Sequence, residues 1–283
     1  MTSSSYSLTT SKREPSLVSN TKLDLLADVA NKVIDIAREV ILRHYLARGN
    51  VFNTSDTIFL CWKSIVAEVD TAMIFIILKD LPCHTVYSKL SVWSNCDGTV
   101  VPEFVWVLDP INGTPSGLLP TFGTLIAVLH NGKPVIGCIN NPIAGIKTVG
   151  RRDCITTRNG VHVRSRVCEN LGQAYVDIKD PDYNNDAKVA YGLLAYKVGE
   201  TFFNGTCVTY TELAAGMLQI VVDSAVDPCS FLGLIPMVEG AGGIITDQLS
   251  WQPSPASSIP KDGFNVVASA DPRMHQQIIS QIS

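Results

Sequence analysis

The 283-residue sequence has no block of Lys and Arg, and its 22 basic side chains are outnumbered by 26 acidic ones. Without a basic stripe, nucleic acid is excluded as a partner. Nor is there an apolar run near the roughly 18 to 20 residues that cross a bilayer; runs such as 73–78 stop far short, so no membrane association is expected. None of the eight cysteines belongs to a Cys-x-x-Cys pair, and no secretory apolar segment opens the sequence. Reduced thiols are therefore expected, in the cytoplasm or in an organelle such as a plastid. Charged residues make up only 17% of the chain while 46% is hydrophobic, which excludes a disordered polymer and supplies a core able to offset chain entropy.

Residues 1–20 are rich in Ser and Thr, with Lys12 and Arg13 following the first stretch. They read as a disordered tail, a targeting presequence being the alternative. From Leu23, apolar residues at 26, 29, 33, 36 and 40 recur at helical spacing up to Gly49, a residue suited to a left-handed C-cap. After a polar connector, Thr71 to Leu81 is apolar on most faces and reads as a buried helix closed by Pro82. Short strands are expected at Val86-Tyr87 and from Phe104 to Leu108, the latter ending at Asp109-Pro110. Two more, Thr124 to His130 and Val135 to Ile139, bracket the turn signal Asn131-Gly132. Together these imply a largely antiparallel sheet under the early helices. The Asp/Asn-rich stretch 177–188 reads as a linker between two subdomains, 21–176 and 177–283. The second subdomain alternates helix (211–217), strand (218–222), helix (231–239), strands (243–246 and 265–268) and a final helix.

Two segments carry most of the chemical signal. In Trp106-Val107-Leu108-Asp109-Pro110-Ile111-Asn112-Gly113-Thr114 an apolar strand delivers a carboxylate to its end, and a glycine turn follows whose backbone N–H groups suit a metal-bound phosphate. An ordinary Asp-Pro, Asn-Gly turn has the same composition. In the segment from Pro236 to Asp247, glycines separate a helix from a strand. Those glycines serve backbone geometry, because the G-x-x-x-x-G-K spacing of a phosphate loop is absent.

In this order, and with Phe122-Gly123-Thr124-Leu125-Ile126-Ala127-Val128-Leu129-His130 and Phe264-Asn265-Val266-Val267-Ala268 in register, the two segments resemble the inositol monophosphatase superfamily of magnesium-dependent phosphatases. The likeness is greatest to the plant and bacterial histidinol-phosphate phosphatase branch, and it runs from about Leu23 to the C-terminus. It implies an α/β fold, a layered αβαβα sandwich with the active site between two subdomains. It also implies a small-molecule phosphate ester as substrate, magnesium as cofactor, and a homodimer. By the same resemblance Asp109 is a metal ligand, Asp70 and Thr114 orient the attacking water, Gly113 and Thr114 hold phosphate, and Thr206 and Asp223 line the substrate pocket.

Other family positions have changed. The second metal-binding aspartate is Asn112, the glutamate pair falls on Lys89 and Leu90, and a further aspartate falls on Ser230. Magnesium requires oxygen donors, preferably anionic. A neutral amide, a hydroxyl and an ammonium at these places imply weak or absent metal binding, with phosphatase activity weakened or lost. Relative to the family the replacements add about five positive charges, close to the four of two magnesium ions, so the pocket is balanced electrostatically without metal. Decay after duplication and repurposing both fit this pattern. Two rival functions follow: a metal-independent catalyst acting on a small amine or imidazole compound through Lys89, Asp70, Asp109 or His84, and a non-catalytic partner that dimerises with an active homologue. A lysine beside two carboxylates is also an ordinary salt bridge.

Overall fold

The computed structural model describes residues 18–47, 55–93, 102–113, 121–179, 185–247 and 263–282. Two helices come first, α1 (Asn20–Ala47) and α2 (Ser55–Asp80). The buried positions of α1, among them Leu26, Val29, Val33, Ile34, Ala37 and Ile41, fall three or four apart, so one stripe faces the core. The second helix differs from expectation in two ways. It begins at Ser55 rather than near Val69, so the supposed connector is helical from Ser55 onward. It is also one-sided: Ile65, Val69, Met73 and Ile77 are buried at four-residue spacing while Phe75 is 63% exposed. A run of six apolar residues hid a periodicity that the whole helix makes plain.

An eight-stranded sheet follows, made of β1 (Thr85–Ser88), β2 (Val92–Trp93), β3 (Phe104–Asn112), β4 (Gly123–His130), β5 (Lys133–Asn141), β6 (Ile146–Arg151), β7 (Thr157–Arg158) and β8 (Val161–His162), in the order β2-β1-β3-β4-β5-β6-β7-β8. All neighbours are antiparallel except β1 and β3, which run parallel. Asn131 (φ 49°) and Gly132 (φ 77°) close the two-residue β4–β5 hairpin in the left-handed region, as the Asn-Gly pair demands.

Strands β9 (Tyr175–Ile178), β10 (Glu200–Phe202), β11 (Ile220–Val226), β12 (Ile244–Asp247) and β13 (Phe264–Ser269) form a second sheet in the order β10-β9-β11-β13-β12. The stretch expected to be a linker contributes Asp177 to β9, and its last residues enter helix α3 (Asn185–Lys197); residues 180–184 lie outside those described. The division placed between 176 and 177 thus falls inside a strand. Asp177 is fully buried and accepts hydrogen bonds from the backbone N–H groups of Asn204 and Gly205 and from the Asn204 side chain, so an acidic residue there marks a buried loop anchor rather than a solvated linker.

Three short helices, α4 (Cys207–Ala214), α5 (Pro228–Phe231) and α6 (Leu234–Gly240), lie between the sheets. Leu125 and Ile139 of the first sheet and Val221, Val266 and Ala268 of the second bury against them. The opposite faces of the same strands serve other layers. Ile126, Val128 and Cys138 pack under α1 and α2, whereas Ile220, Val222 and Val267 pack under α3 and the last helix, α7 (Pro272–Ile282). Alternation along each strand therefore builds a five-layer αβαβα sandwich. No described helix is long and apolar enough to cross a membrane.

Candidate active site

β3 does not stop at Asp109. It continues through Pro110 to Asn112, with a shift in its pairing to β4 between Asp109 and Asn112. In a regular strand residues three apart point to opposite faces. The irregularity turns both side chains to one side, and Pro110, with no N–H to lose, suits such a position. Thr124 steadies the distortion by donating its hydroxyl to the Pro110 carbonyl at 2.9 Å.

Asp109 and Asn112 then meet Ser230 of α5. The Asn112 amide donates to Asp109 Oδ2 at 3.0 Å and to Ser230 Oγ at 2.9 Å, and Ser230 donates to the same Asp109 oxygen at 2.6 Å. The amide oxygen of Asn112 accepts the Cys207 N–H at 3.1 Å. Because a backbone N–H can only donate, that contact fixes which end of the amide faces Asp109. It also serves the first turn of α4, whose N-cap residue Thr206 makes no side-chain capping bond. Asp227 caps α5 through the Cys229 N–H at 2.8 Å, with Pro228 at the first helical position, and so holds Ser230 in place. Asp109 is 0% exposed, and Lys89, 43% exposed in its side chain, reaches its Oδ2 at 3.5 Å. The four positions that the resemblance assigns to metal chemistry, Lys89, Asp109, Asn112 and Ser230, are thus adjacent.

They do not fit magnesium. Asn112 presents its N–H groups to the site and has given its oxygen to Cys207. Ser230 spends its proton on Asp109, and Lys89 adds a cation. Among the described residues no group of three or more His, Cys, Asp or Glu is placed to hold a metal ion. Hard cations need several oxygen donors, and here the best acceptor already serves three protein donors.

The remaining candidates sit in different surroundings. Asp70 of α2 is buried and accepts hydrogen bonds from the hydroxyls of Ser88 and Ser91, the latter at 3.2 Å; burial raises its pKa and those bonds partly offset the rise. His84, considered as an acid or base, lies in the packed layer instead. Its Nδ1 accepts the Trp106 indole N–H at 3.0 Å and its ring stacks on Phe104, while burial lowers its pKa; a neutral ring wedged between aromatics has no access to the cleft. Leu90 is exposed. Gly113 bends the chain at φ 92°, and a Cβ there would sit 3.3 Å from Thr206 Cγ2, so glycine lets Thr206 approach. The Thr206 hydroxyl is buried without a hydrogen-bond partner among the described residues. Thr114 lies outside the described residues. Neither nearby thiol is a ready nucleophile: burial, with the Asp227 and Asp109 carboxylates beside it, pushes the Cys229 thiol up to about 12, and burial with Asp109 raises that of Cys207 as well.

A cleft of about 110 Å³ opens here, lined among others by Lys89, Asn112, Lys179, Tyr210, Asp223 and Ser230. Lys179 was not singled out from the sequence. It follows β9 directly, donates its N–H to the Val222 carbonyl at 3.0 Å, and places its Nζ 3.2 Å from Asp223 Oδ1. Burial lifts the Asp223 carboxyl to about 6, Lys179 opposing the rise. Lys89 stands in the same relation to the first sheet: it follows β1, and its N–H donates to the Leu108 carbonyl at 3.1 Å. In both sheets the lysine is one residue past a strand and pairs with an aspartate on the parallel neighbour. Ser88 pairs with Leu108 ahead of Lys89 and Asp109, and Ile178 pairs with Val222 ahead of Lys179 and Asp223.

Comparison with known proteins identifies the fold and the family. The Arabidopsis thaliana protein named bifunctional phosphatase IMPL2, chloroplastic, is 36% identical over 289 residues, covering all of this chain and 82% of its own length. A protein named histidinol-phosphatase from Chlorobaculum parvum is 29% identical over 147 residues, half of this chain and 56% of its own. The solved inositol monophosphatase of Zymomonas mobilis superposes with a TM-score of 0.78 at 27% identity, over 94% of this chain and 99% of that one. Inositol monophosphatase II of Staphylococcus aureus, at 19% identity, shares the fold with a TM-score of 0.74 over 91% and 95%. With the Inositol monophosphatase family profile matching residues 22–283, the chain belongs to the inositol monophosphatase family.

Proposed function

We propose that this protein keeps the small-molecule cleft of a histidinol-phosphate phosphatase but works without bound magnesium, so that metal-dependent hydrolysis of phosphate esters is weak or lost. The observation that carries this reading is the closed arrangement around Asp109, whose Oδ2 accepts from Ser230 and Asn112 and pairs with Lys89. Metal ions in such hydrolysis polarise the phosphoryl oxygen and generate the nucleophile, each effect worth several kcal/mol. With those effects gone, turnover of histidinol phosphate should lie orders of magnitude below that of an active relative. Robust hydrolysis by the purified wild-type protein, abolished by a chelator, would refute the reading.

The pairing of Asn112 and Ser230 supports rebuilding over decay, although Asp109 Oδ1 and the Thr206 hydroxyl stay buried without a partner among the described residues. Random loss of ligands leaves buried polar groups unpaired, each costing about 1–3 kcal/mol, whereas Asn112 uses both ends of its amide and Ser230 both donates and accepts. A ligand that binds only the folded state stabilises it by RT ln(1 + [L]/Kd), so with magnesium affinity lost the Tm should be indifferent to millimolar magnesium or to EDTA. A shift of several degrees would show that the site still takes the ion. The Ser/Thr-rich start and the chloroplastic name of the Arabidopsis relative support a plastid location, which import of a fluorescent fusion carrying residues 1–60 would check. A homodimer is the family arrangement, and sedimentation would test it.

A further inference from the structure

The geometry points to a two-lysine clamp in the cleft: Lys89 and Lys179, brought there by the equivalent register of two different sheets, bind a tetrahedral oxyanion, the phosphate group of a small metabolite, with no metal. This inference rests on the metal-free reading above.

Both ammoniums belong to the wall of one cleft, and their side chains remain 43% and 42% exposed although each is paired with a buried aspartate. An ammonium has three donors, and the carboxylate takes one. Lys89 is the weakest of the three partners of Asp109, at 3.5 Å against 2.6 Å for Ser230 and 3.0 Å for Asn112. When the ammonium turns toward a ligand, Asp109 Oδ2 keeps its two closer bonds, from Ser230 and Asn112. The second lysine is guided by Gly205, which adopts φ 56° in the same wall. A Cβ at that position would come within 2.7 Å of Lys179 Cγ and 2.9 Å of its Cβ, so glycine gives the lysine stem its path. The cleft holds several water molecules' worth of space, enough for one phosphate group. It opens at the carboxyl ends of two strands, β1 and β9, that pair in parallel with their neighbours, the usual place for ligands on such strands.

Inorganic phosphate and O-phosphoethanolamine share the required chemistry and separate a free anion from an ester. Calorimetric titration of the full-length protein in EDTA should show binding of at least one of the two, weakening as salt is raised. Whichever binds more tightly identifies the occupant. Lys89→Met and Lys179→Met should each weaken binding tenfold or more, whereas Lys89→Arg and Lys133→Met should stay within about threefold, because the first keeps the charge and the second lies at the start of β5, outside the cleft lining. Thermal melts establish that each variant is folded; where Lys89→Met is not, Lys89→Gln keeps a donor on Asp109 without the charge and should show the same loss. Binding in EDTA that neither lysine substitution weakens overturns the clamp. So does absence of binding with and without magnesium, which leaves the metal-free reading standing. Binding that requires magnesium overturns both.

Discussion

Asn112 differs from the aspartate that the family resemblance implies at this position by one group, an amide nitrogen where a second carboxylate oxygen would be, and that group reverses what the position offers. An amide donates to Asp109 and Ser230, while a carboxylate at 3.0 Å from Asp109 Oδ2 would repel it. Asn112→Asp should therefore destabilise the protein by about 2–4 kcal/mol at pH 7, and by less near pH 5 as one of the pair takes a proton; urea unfolding at the two pH values measures this. Adding Lys89→Glu, Leu90→Glu and Ser230→Asp rebuilds the carboxylate cluster, and the fourfold variant should bind magnesium in calorimetry and gain Tm on its addition. A folded fourfold variant that binds none would mean the site has been reshaped beyond these side chains.

Asp223 carries a different dependence. Its folded carboxyl titrates at about 6, above the ordinary 3.8, so the folded state binds this proton more tightly than the unfolded chain. Its contribution to stability is greatest below pH 4, declines as pH rises to about 6, and is absent above. Lys179, Tyr210, Cys207 and Asp177 are the polar and charged groups that act on it or respond to it. Compared with Asp223→Asn, the wild type should lose up to ~3 kcal/mol of stability between pH 4 and pH 7, read from the pH dependence of denaturant midpoints.

At the scale of elements, burial within α2 separates two neighbouring apolar residues. Met73 is fully buried and Phe75 is 63% exposed; Met73→Ala should cost about 2–5 kcal/mol and Phe75→Ala less than about 0.5 kcal/mol, which denaturant midpoints would distinguish. Helix α6 rests directly on sheet backbone. A Cβ on Gly150 of β6 would lie 2.2 Å from Met237 Cα, and one on Gly137 of β5 only 1.9 Å from the Gly233 carbonyl oxygen. Gly150→Ala should thus destabilise by more than about 3 kcal/mol, because backbone, unlike a side-chain end, cannot swing aside.

Elements with long local periodicity were legible from sequence: α1 by its helical stripe, β4 and β5 by their Asn-Gly turn. The short strands β7, β8 and β10 and helix α3 were not, since strands of two or three residues carry no period and α3 follows a stretch whose polar composition resembles a linker. The adjacency of Lys89, Asp109, Asn112 and Ser230 was legible only through family resemblance. The Lys179–Asp223 pair was not, because it depends on the register of β9 against β11, strands some 44 residues apart in sequence.

On the scale of the whole molecule, neither sheet owns the cleft. One supplies Lys89 and Asn112 from its β1 and β3 end, with Asp109 buried behind them, the other supplies Lys179 and Asp223, and the intervening helices bring Cys207 and Ser230. The contacts that join them are remote along the chain. Ser230 meets Asn112 across 118 residues and Asp109 across 121, whereas Lys89 meets Asp109 across 20. Loop closure of that length has to be met before such contacts contribute. By sequence separation the lysine and the aspartate are expected to find each other first, the hydrogen bonds of Ser230 closing around a pair already made. Ser230→Ala should accordingly accelerate unfolding while leaving the refolding rate nearly unchanged, whereas a substitution at Trp106, buried under α1 and α2, should slow refolding as well; stopped-flow measurements on both variants would reveal the order in which the site is assembled.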